Sequence, residues 1–185
     1  MRLTIPTLVT ARLQLRPLRP GDAAAVFAIH SDPEVTRWLF RPHHESVADS
    51  AELIATLAED RFAAVAMIAA ASEDFVGMCV FHSDRSHHLK TELAYRAGRR
   101  FWNRGYVTEA VDRLVRYVLG ETAMNRIEAT CMVDNRASER VLQKAGFRLE
   151  GVMRQSHRRG DGFHDMKLYA LLADDLDAEP AGTRS

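Results

Sequence analysis

A stripe of apolar residues at helical spacing follows residue 106. Its members recur every three or four positions, the period of one face of an α-helix, and they are Val111, Leu114, Val115, Val118 and Leu119. A strand-like run at 92–97 precedes the stripe. The pattern therefore predicts a strand, a short turn and a helix, in that order.

The rest of the chain divides between strand and helix periodicities. Apolar alternation predicts strands at about 13–18, 63–71, 75–81, 126–133, 147–156 and 163–172. Helical spacing and N-cap residues predict helices over 22–29, from 33, over 46–62 and over 135–146. Asp22 is the expected N-cap of the first helix, and Gly146 is the expected C′ glycine of the last. We expect one α/β (α+β) domain over 1–173 and a disordered acidic tail over 174–185.

Composition narrows the functional classes. The 25 basic and 25 acidic residues give a formal net charge of zero, so no global field favours direct binding to nucleic acid. No apolar run approaches the roughly 20 residues of a membrane helix, and no secretory pattern opens the chain. Cys79 and Cys131 fall in strand-like runs and are interpreted as buried apolar residues. These observations predict a cytoplasmic protein without membrane association.

The histidines and cysteines lack the spacing of a metal site. No His-x-x-x-His or Cys-x-x-Cys sequence occurs, and the paired histidines at 43–44 and 87–88 would point to opposite faces of a strand. We therefore predict no bound metal.

The turn before the apolar helix has the chemistry of a phosphate site. It contains Gly105 and three arginines, Arg99, Arg100 and Arg104. The first N–H groups of a helix lack intrahelical partners and carry partial positive charge, so they bind anions. The turn is predicted to bind a pyrophosphate.

Five segments resemble one known family when they are taken in order. Residues 102–109, Trp-Asn-Arg-Gly-Tyr-Val-Thr-Glu, resemble the acyl-CoA signature of the GNAT N-acetyltransferases, in the branch of the ribosomal-protein-alanine (RimJ/RimL-like) enzymes. Segments 10–18, 135–147, 150–154 and 161–165 are similar to further motifs of that branch. The resemblance runs from about residue 8 to about residue 172. It implies the GNAT fold, in which helices flank a mixed central sheet that splays at the CoA site.

The same resemblance implies that acetyl-CoA is the co-substrate. Its binding residues would be Tyr95, Arg96 and Ala97 on the central strand, Arg100, Trp102, Asn103, Arg104, Gly105, Tyr106, Val107 and Thr108 in the turn, and Asn135 and Ser138 at the next helix. One N–H near residues 95–97 would polarise the thioester carbonyl. Trp102 is equally compatible with a packing role. Val107 departs from the family pattern, which has Gly or Ala there, and its bulk favours a reshaped turn.

Three residues are candidates for proton transfer. Glu92 is interpreted either as a general base acting through water or as half of a structural salt bridge with an arginine. His157 stands where some relatives carry a glutamate base, although it also opens a basic run that is typical of solvated loops. Ser138 would protonate the departing thiolate by resemblance, and otherwise it is an ordinary helix-start serine.

The implied reaction is transfer of acetyl to a primary amine by direct attack in a ternary complex. The acceptor would be a protein N-terminus or a small amine, bound between the 31–62 helices and the basic 154–164 loop. That loop would favour an acceptor with a nearby carboxylate or phosphate, or an RNA-rich particle such as the ribosome. Dimers occur in the family, so the resemblance allows a homodimer. The alternative is a non-catalytic acyl-CoA-binding sensor.

Overall fold

One eight-stranded mixed sheet organises the protein in a computed structural model, which describes residues 3–39, 42–83, 88–160 and 162–176. The strands are β1 (Leu8–Val9), β2 (Leu13–Pro17), β3 (Phe62–Ala69), β4 (Phe75–His82), β5 (Lys90–Ala97), β6 (Arg126–Met132), β7 (Arg148–Arg159) and β8 (Gly162–Leu172). Their order in the sheet is β1-β2-β3-β4-β5-β6-β8-β7. Every neighbouring pair is antiparallel except β5 and β6, which run parallel.

Helices cover both faces of the sheet. They are α1 (Ala23–His30), α2 (Pro33–Thr36), α3 (Val47–Leu57), α4 (Tyr106–Glu121) and α5 (Arg136–Lys144). Side chains alternate across β4, so Met78 and Val80 pack with α1 and α3, whereas Cys79 and Phe81 join the larger core with α4 and α5. The mixed, helix-flanked sheet predicted from the sequence is confirmed. Within the described ranges, no helix is both long and apolar enough to cross a membrane.

The strands β5 and β6 separate after a short ladder. Their register covers only three pairs, from Lys90 with Arg126 to Glu92 with Glu128. Beyond Glu92, β5 continues to pair with β4 as far as Ala97 with Gly77. A Cβ atom on Gly77 would lie 2.2 Å from the Arg96 carbonyl oxygen, so only glycine permits this close approach. The predicted splay of the central sheet is therefore present, with its vertex at Glu92.

Three local predictions need correction. The third helix ends at Leu57 rather than at residue 62. Phe62 instead begins β3, and its aromatic side chain packs against the smaller hydrophobic cluster between the sheet and helices α1 and α3. The 154–164 segment is a hairpin of β7 and β8, not a loop. Asp22 occupies the N-cap position of α1 without capping it, because its carboxylate binds Arg16 and the Arg19 N–H instead.

The ordered chain continues past Ala173. A 3₁₀ turn spans Ala173–Asp175, and the Asp175 carboxylate accepts the Leu172 N–H at 3.1 Å and pairs with Arg148 at 2.7 Å. The remainder of the predicted disordered tail, 177–185, and Asp161 of the fifth motif segment lie outside the described residues.

The ion pair of Arg16 with Asp22 should make stability depend on pH. Burial opposes ionisation of Asp22, but hydrogen bonds from Arg16 and from the Arg19 N–H outweigh it and hold the pKa of this carboxyl below its usual value. We expect Asp22→Asn to lower the free energy of unfolding by about 2 kcal/mol at pH 7, because it leaves a largely buried guanidinium without its counter-ion.

A depressed pKa contributes stability that is present above about pH 4, the unfolded value, and is lost as the pH falls through the lower folded value. The difference between wild type and Asp22→Asn in urea should therefore be full at pH 7 and small at pH 3. Asp112→Asn, which removes an exposed pair with Arg116, is the matched control and should change little. A deficit for Asp22→Asn that is equal at both pH values would contradict this account.

Candidate active site at the splay of the sheet

The turn between β5 and α4 is shaped by two residues with left-handed backbone. Asn103 has φ of 58° and Gly105 has φ of 78°, and Gly105 is the N-cap residue of α4. Trp102 ties the turn to the end of β5, because its indole Nε1–H donates to the Ala97 carbonyl at 2.9 Å. Left-handed residues that lead into a helix N-terminus form backbone concavities that bind anions. The geometry fits the predicted pyrophosphate cradle, which we define as residues 102–108.

Val107 has helical backbone within this cradle. It lies inside the first turn of α4, and its half-buried side chain packs against the larger core. Within the cradle, the residues with positive φ are Asn103 and Gly105. A β-branched residue at 107 therefore meets no backbone strain.

The charges around the cradle differ from the prediction. Arg99 pairs with Asp32 at 3.2 Å and Arg100 with Asp74 at 2.7 Å, so two of the three arginines have carboxylate partners. Both arginines are exposed, and such surface pairs are weak. Arg104 is exposed, and its carbonyl accepts a hydrogen bond from a residue that the sequence analysis missed, Arg12.

Tyr95 and Ser138 are brought together on the α5 side of the sheet. The two hydroxyl oxygens lie 2.8 Å apart, and the Tyr95 hydroxyl also donates to the Ser138 carbonyl at 3.1 Å. Burial raises the pKa of Tyr95 above its usual value, and the hydrogen bond with Ser138 offsets this only in part. The phenol is therefore protonated at neutral pH, and it fixes the direction of the Ser138 hydroxyl.

Two anchors hold Ser138 at this position. The Asn135 side chain accepts the Ser138 N–H at 3.1 Å, which is the predicted N-cap of α5. One residue later, the Glu139 carboxylate accepts hydrogen bonds from Lys167 at 2.6 Å and Tyr169 at 2.8 Å on β8. These two bonds hold the pKa of Glu139 below its usual value. Helix α5 is thus fixed to the sheet, and Ser138 with it.

Glu92 lies on the opposite face of the sheet from Tyr95. It is exposed at the vertex of the splay, and it accepts a long hydrogen bond of 3.4 Å from the Thr130 hydroxyl across the gap. Among the described residues it forms no ion pair, so the predicted salt bridge with an arginine is not seen. The carboxylate is accessible to water and to a substrate.

His157 lies far from Glu92 along the sheet. It pairs in register with His164, and its Nδ1 is 3.0 Å from the Ser156 hydroxyl. Glu92 pairs in register with Glu128 on β6, and Glu128 pairs with Ala170 on β8, so Glu92 and Ala170 lie at the same height along the sheet. The step of six positions from His164 to Ala170 on β8 corresponds to about 20 Å along the strand. The two candidate bases are therefore not brought together.

Arg96 joins a network on the face that carries Glu92. Its Nη1 lies 3.2 Å from Nε2 of the buried His30, whose ring stacks on His44 at 4.4 Å between centroids. His44 Nδ1 in turn lies 2.7 Å from the Ser50 hydroxyl. Because a guanidinium only donates, His30 Nε2 is the acceptor in this contact. The Arg96 side chain thus faces α1, and only its backbone lies along the gap.

Comparison with known proteins agrees with the geometry of the site. A model of the acetyltransferase (GNAT) domain matches residues 12–148. The uncharacterised N-acetyltransferase YoaA of Bacillus subtilis (strain 168) is 32% identical over 171 residues, which are 90% of this chain and 97% of YoaA.

Two solved structures share the fold over most of their length. The acetyltransferase (GNAT family) from Bacillus anthracis superposes with a TM-score of 0.84 at 25% identity, covering 91% of this chain and 99% of that one. RimL, the ribosomal L7/L12 α-N-protein acetyltransferase in complex with coenzyme A, has a TM-score of 0.83 at 19% identity, covering 91% and 98%. With its family model, its relatives and its splayed sheet in agreement, this chain belongs to the GNAT acetyltransferase family and is an acyltransferase.

Proposed function

We propose that the protein transfers an acetyl group from acetyl-CoA to a primary amine while both substrates are bound. The observation that carries the proposal is the gap beside β5, which opens at Glu92 and leads to the cradle at the N-terminus of α4. An unpaired strand edge offers backbone N–H and C=O groups to an extended amide chain such as pantetheine. The RimL structure, whose fold is shared, holds coenzyme A.

The described residues fit acetyl-CoA at both ends of the gap. The edge of β5 from Leu93 to Ala97 would pair with the pantetheine amides, and the cradle would bind the pyrophosphate through backbone N–H groups. The Asn135 side-chain amide, at the start of α5, would contact the pantetheine. When bound, acetyl-CoA would supply an activated thioester carbonyl.

Proton transfer would use the two faces of the sheet separately. Glu92 faces one side, where it would take a proton from the attacking amine through water. Ser138, oriented by Tyr95 on the other side, would relay a proton to the departing sulfur, taking one from water as it gives up its own. Glu92 and Tyr95 are three residues, about 10 Å, apart along β5. Glu92 borders the gap, whereas His157 lies on β7, two strands beyond β6, which favours Glu92 over His157 as the base.

The cysteines favour direct transfer over an acyl-cysteine enzyme. Burial raises the pKa of Cys79 to about 12 and that of Cys131 to about 11. The thiolate is the nucleophilic form of cysteine, and it is scarce at neutral pH for both residues. Direct attack by the amine needs neither of them.

The acceptor would enter between α2 and the hairpin of β7 and β8. Arg159 of the hairpin donates to the Arg37 carbonyl after α2, so the two elements form one wall. Arg154 and Arg158 are exposed on the hairpin and favour an acceptor with a carboxylate or phosphate near its amine, either a protein N-terminus or a small molecule.

A screen of acceptors tests this preference by comparing acidic and neutral peptides, and acidic and neutral small amines, in matched pairs. The acidic member of each pair should be acetylated faster, and equal acetylation rates within each pair would exclude the preference.

The cradle is tested by substitution of its glycine. Gly105→Ala places a Cβ at φ of 78° and 3.3 Å from the Arg12 guanidinium, so we expect the Kd for acetyl-CoA to rise about tenfold, since positive φ costs about 1 kcal/mol for alanine and the loop must shift. Gly120→Ala is the matched control, because it lies in the same helix with open space around it. Calorimetry on wild type and both variants measures the effect. Failure of the wild type to bind acetyl-CoA would refute the proposed function.

The base is tested by comparing two substitutions of similar size. Glu92→Gln should lower kcat about 10²-fold, as loss of a general base does, while His157→Gln should leave kcat within about threefold. Initial rates at saturating acetyl-CoA, with the acceptor found by the screen, measure both. The opposite ranking would assign the base to His157.

A further inference from the structure

The turn between β1 and β2 is bound to the first turn of α4 through a single carboxylate. Glu109 Oε1 accepts hydrogen bonds from the Thr10 hydroxyl at 2.6 Å and from the Arg12 backbone N–H at 2.9 Å. Glu109 Oε2 accepts a third, from Arg12 Nε, at 2.6 Å. Residues almost a hundred positions apart are thereby joined at the edge of the cradle.

The rest of the Arg12 guanidinium contacts the cradle on both sides of Gly105. Arg12 Nη1 donates to the Arg104 carbonyl at 2.9 Å. The guanidinium carbon lies 4.7 Å from the centre of the Tyr106 ring, in cation–π geometry. Arg12 Nη2 lies 3.3 Å from the position that a Cβ on Gly105 would occupy. One side chain therefore contacts Arg104 and Tyr106 and lies beside the Gly105 between them.

We propose that Arg12 is a positioning residue for the pyrophosphate cradle, a role that rests on the proposed binding of acetyl-CoA. By holding the Arg104 carbonyl outward, Arg12 keeps Gly105 left-handed and leaves the N–H groups of the turn directed at the ligand. Because the turn already has this geometry before binding, the free energy of binding is not reduced by the entropy cost of ordering the turn.

Arg12 also compensates a charge that is unfavourable for phosphate. Burial opposes ionisation of Glu109, but hydrogen bonds from Thr10 and Arg12 outweigh it and hold the pKa of Glu109 below its usual value. An ionised carboxylate in the first turn of α4 repels a bound pyrophosphate unless a cation neutralises it. Because the charge of Arg12 is matched by Glu109, its own contribution lies in geometry rather than in net positive charge.

The test compares three arginine variants by calorimetric titration with acetyl-CoA. Arg12→Gln should raise the Kd at least tenfold. Arg12→Lys should be nearly as weak, because an ammonium group cannot bind Glu109 and the Arg104 carbonyl with the same fork. Arg116→Gln, which removes an exposed arginine from α4, should bind acetyl-CoA as wild type does. An unchanged Kd for Arg12→Gln, or full recovery with lysine, would overturn the proposal.

Amide hydrogen exchange separates a local role from a global one. In Arg12→Gln without ligand, exchange should accelerate in the first hydrogen-bonded turn of α4, at 109–111, and stay unchanged in β6. Acceleration throughout the chain would show that Arg12 only stabilises the fold, and would overturn the positioning role. Wild type that fails to bind acetyl-CoA would instead refute the proposed function, so the two failures are distinguishable.

A second substitution tests the charge argument. Replacing Glu109 with glutamine in the Arg12→Gln background removes the uncompensated carboxylate, so the double variant should bind acetyl-CoA more tightly than Arg12→Gln alone. Weaker binding by the double variant would contradict the proposed repulsion.

Discussion

The site depends on the departure of β5 from β6 after three paired residues. Gly77 allows the backbone of β4 to approach β5 so closely that no side chain would fit between them, and β5 follows β4 up to Ala97. Among the described strands, none therefore pairs with the β6-facing edge of β5 from Leu93 onward. In most sheets such an edge is a liability, and here it is the surface on which an extended amide ligand can pair.

The candidate proton-transfer residues lie on opposite faces of the sheet at the gap. Residues of β5 alternate, so Glu92 faces the layer of α1 and α3 while Tyr95 faces α5 and meets Ser138. In the proposed reaction, the amine would lose its proton on one face and the thiolate would leave toward the other. Glu139 joins α5 to β8, Asn135 caps α5 at Ser138, and Arg12 donates to the Arg104 carbonyl in the cradle.

Local sequence patterns predicted the helix starts of the candidate site, because helix capping depends on residues close together in the chain. Gly105 before an apolar helix and Asn135 before Ser138 are capping positions, and both were found where expected. The contacts of Tyr95 with Ser138 and of Arg12 with Glu109 join residues 43 and 97 positions apart, so they follow from sheet register and could not be predicted from spacing. Phe62 shows a related limit, since its role as the start of β3 depends on tertiary packing rather than on helical period.

The account is tested most directly by amide hydrogen exchange of the unliganded protein and of the protein saturated with acetyl-CoA. Acetyl-CoA should protect amides of β5 between Leu93 and Ala97 and those of the cradle, and leave Lys90–Glu92, already paired with β6, unchanged. Protection confined to other parts of the chain would contradict the claim that the open edge of β5 is the acetyl-CoA site.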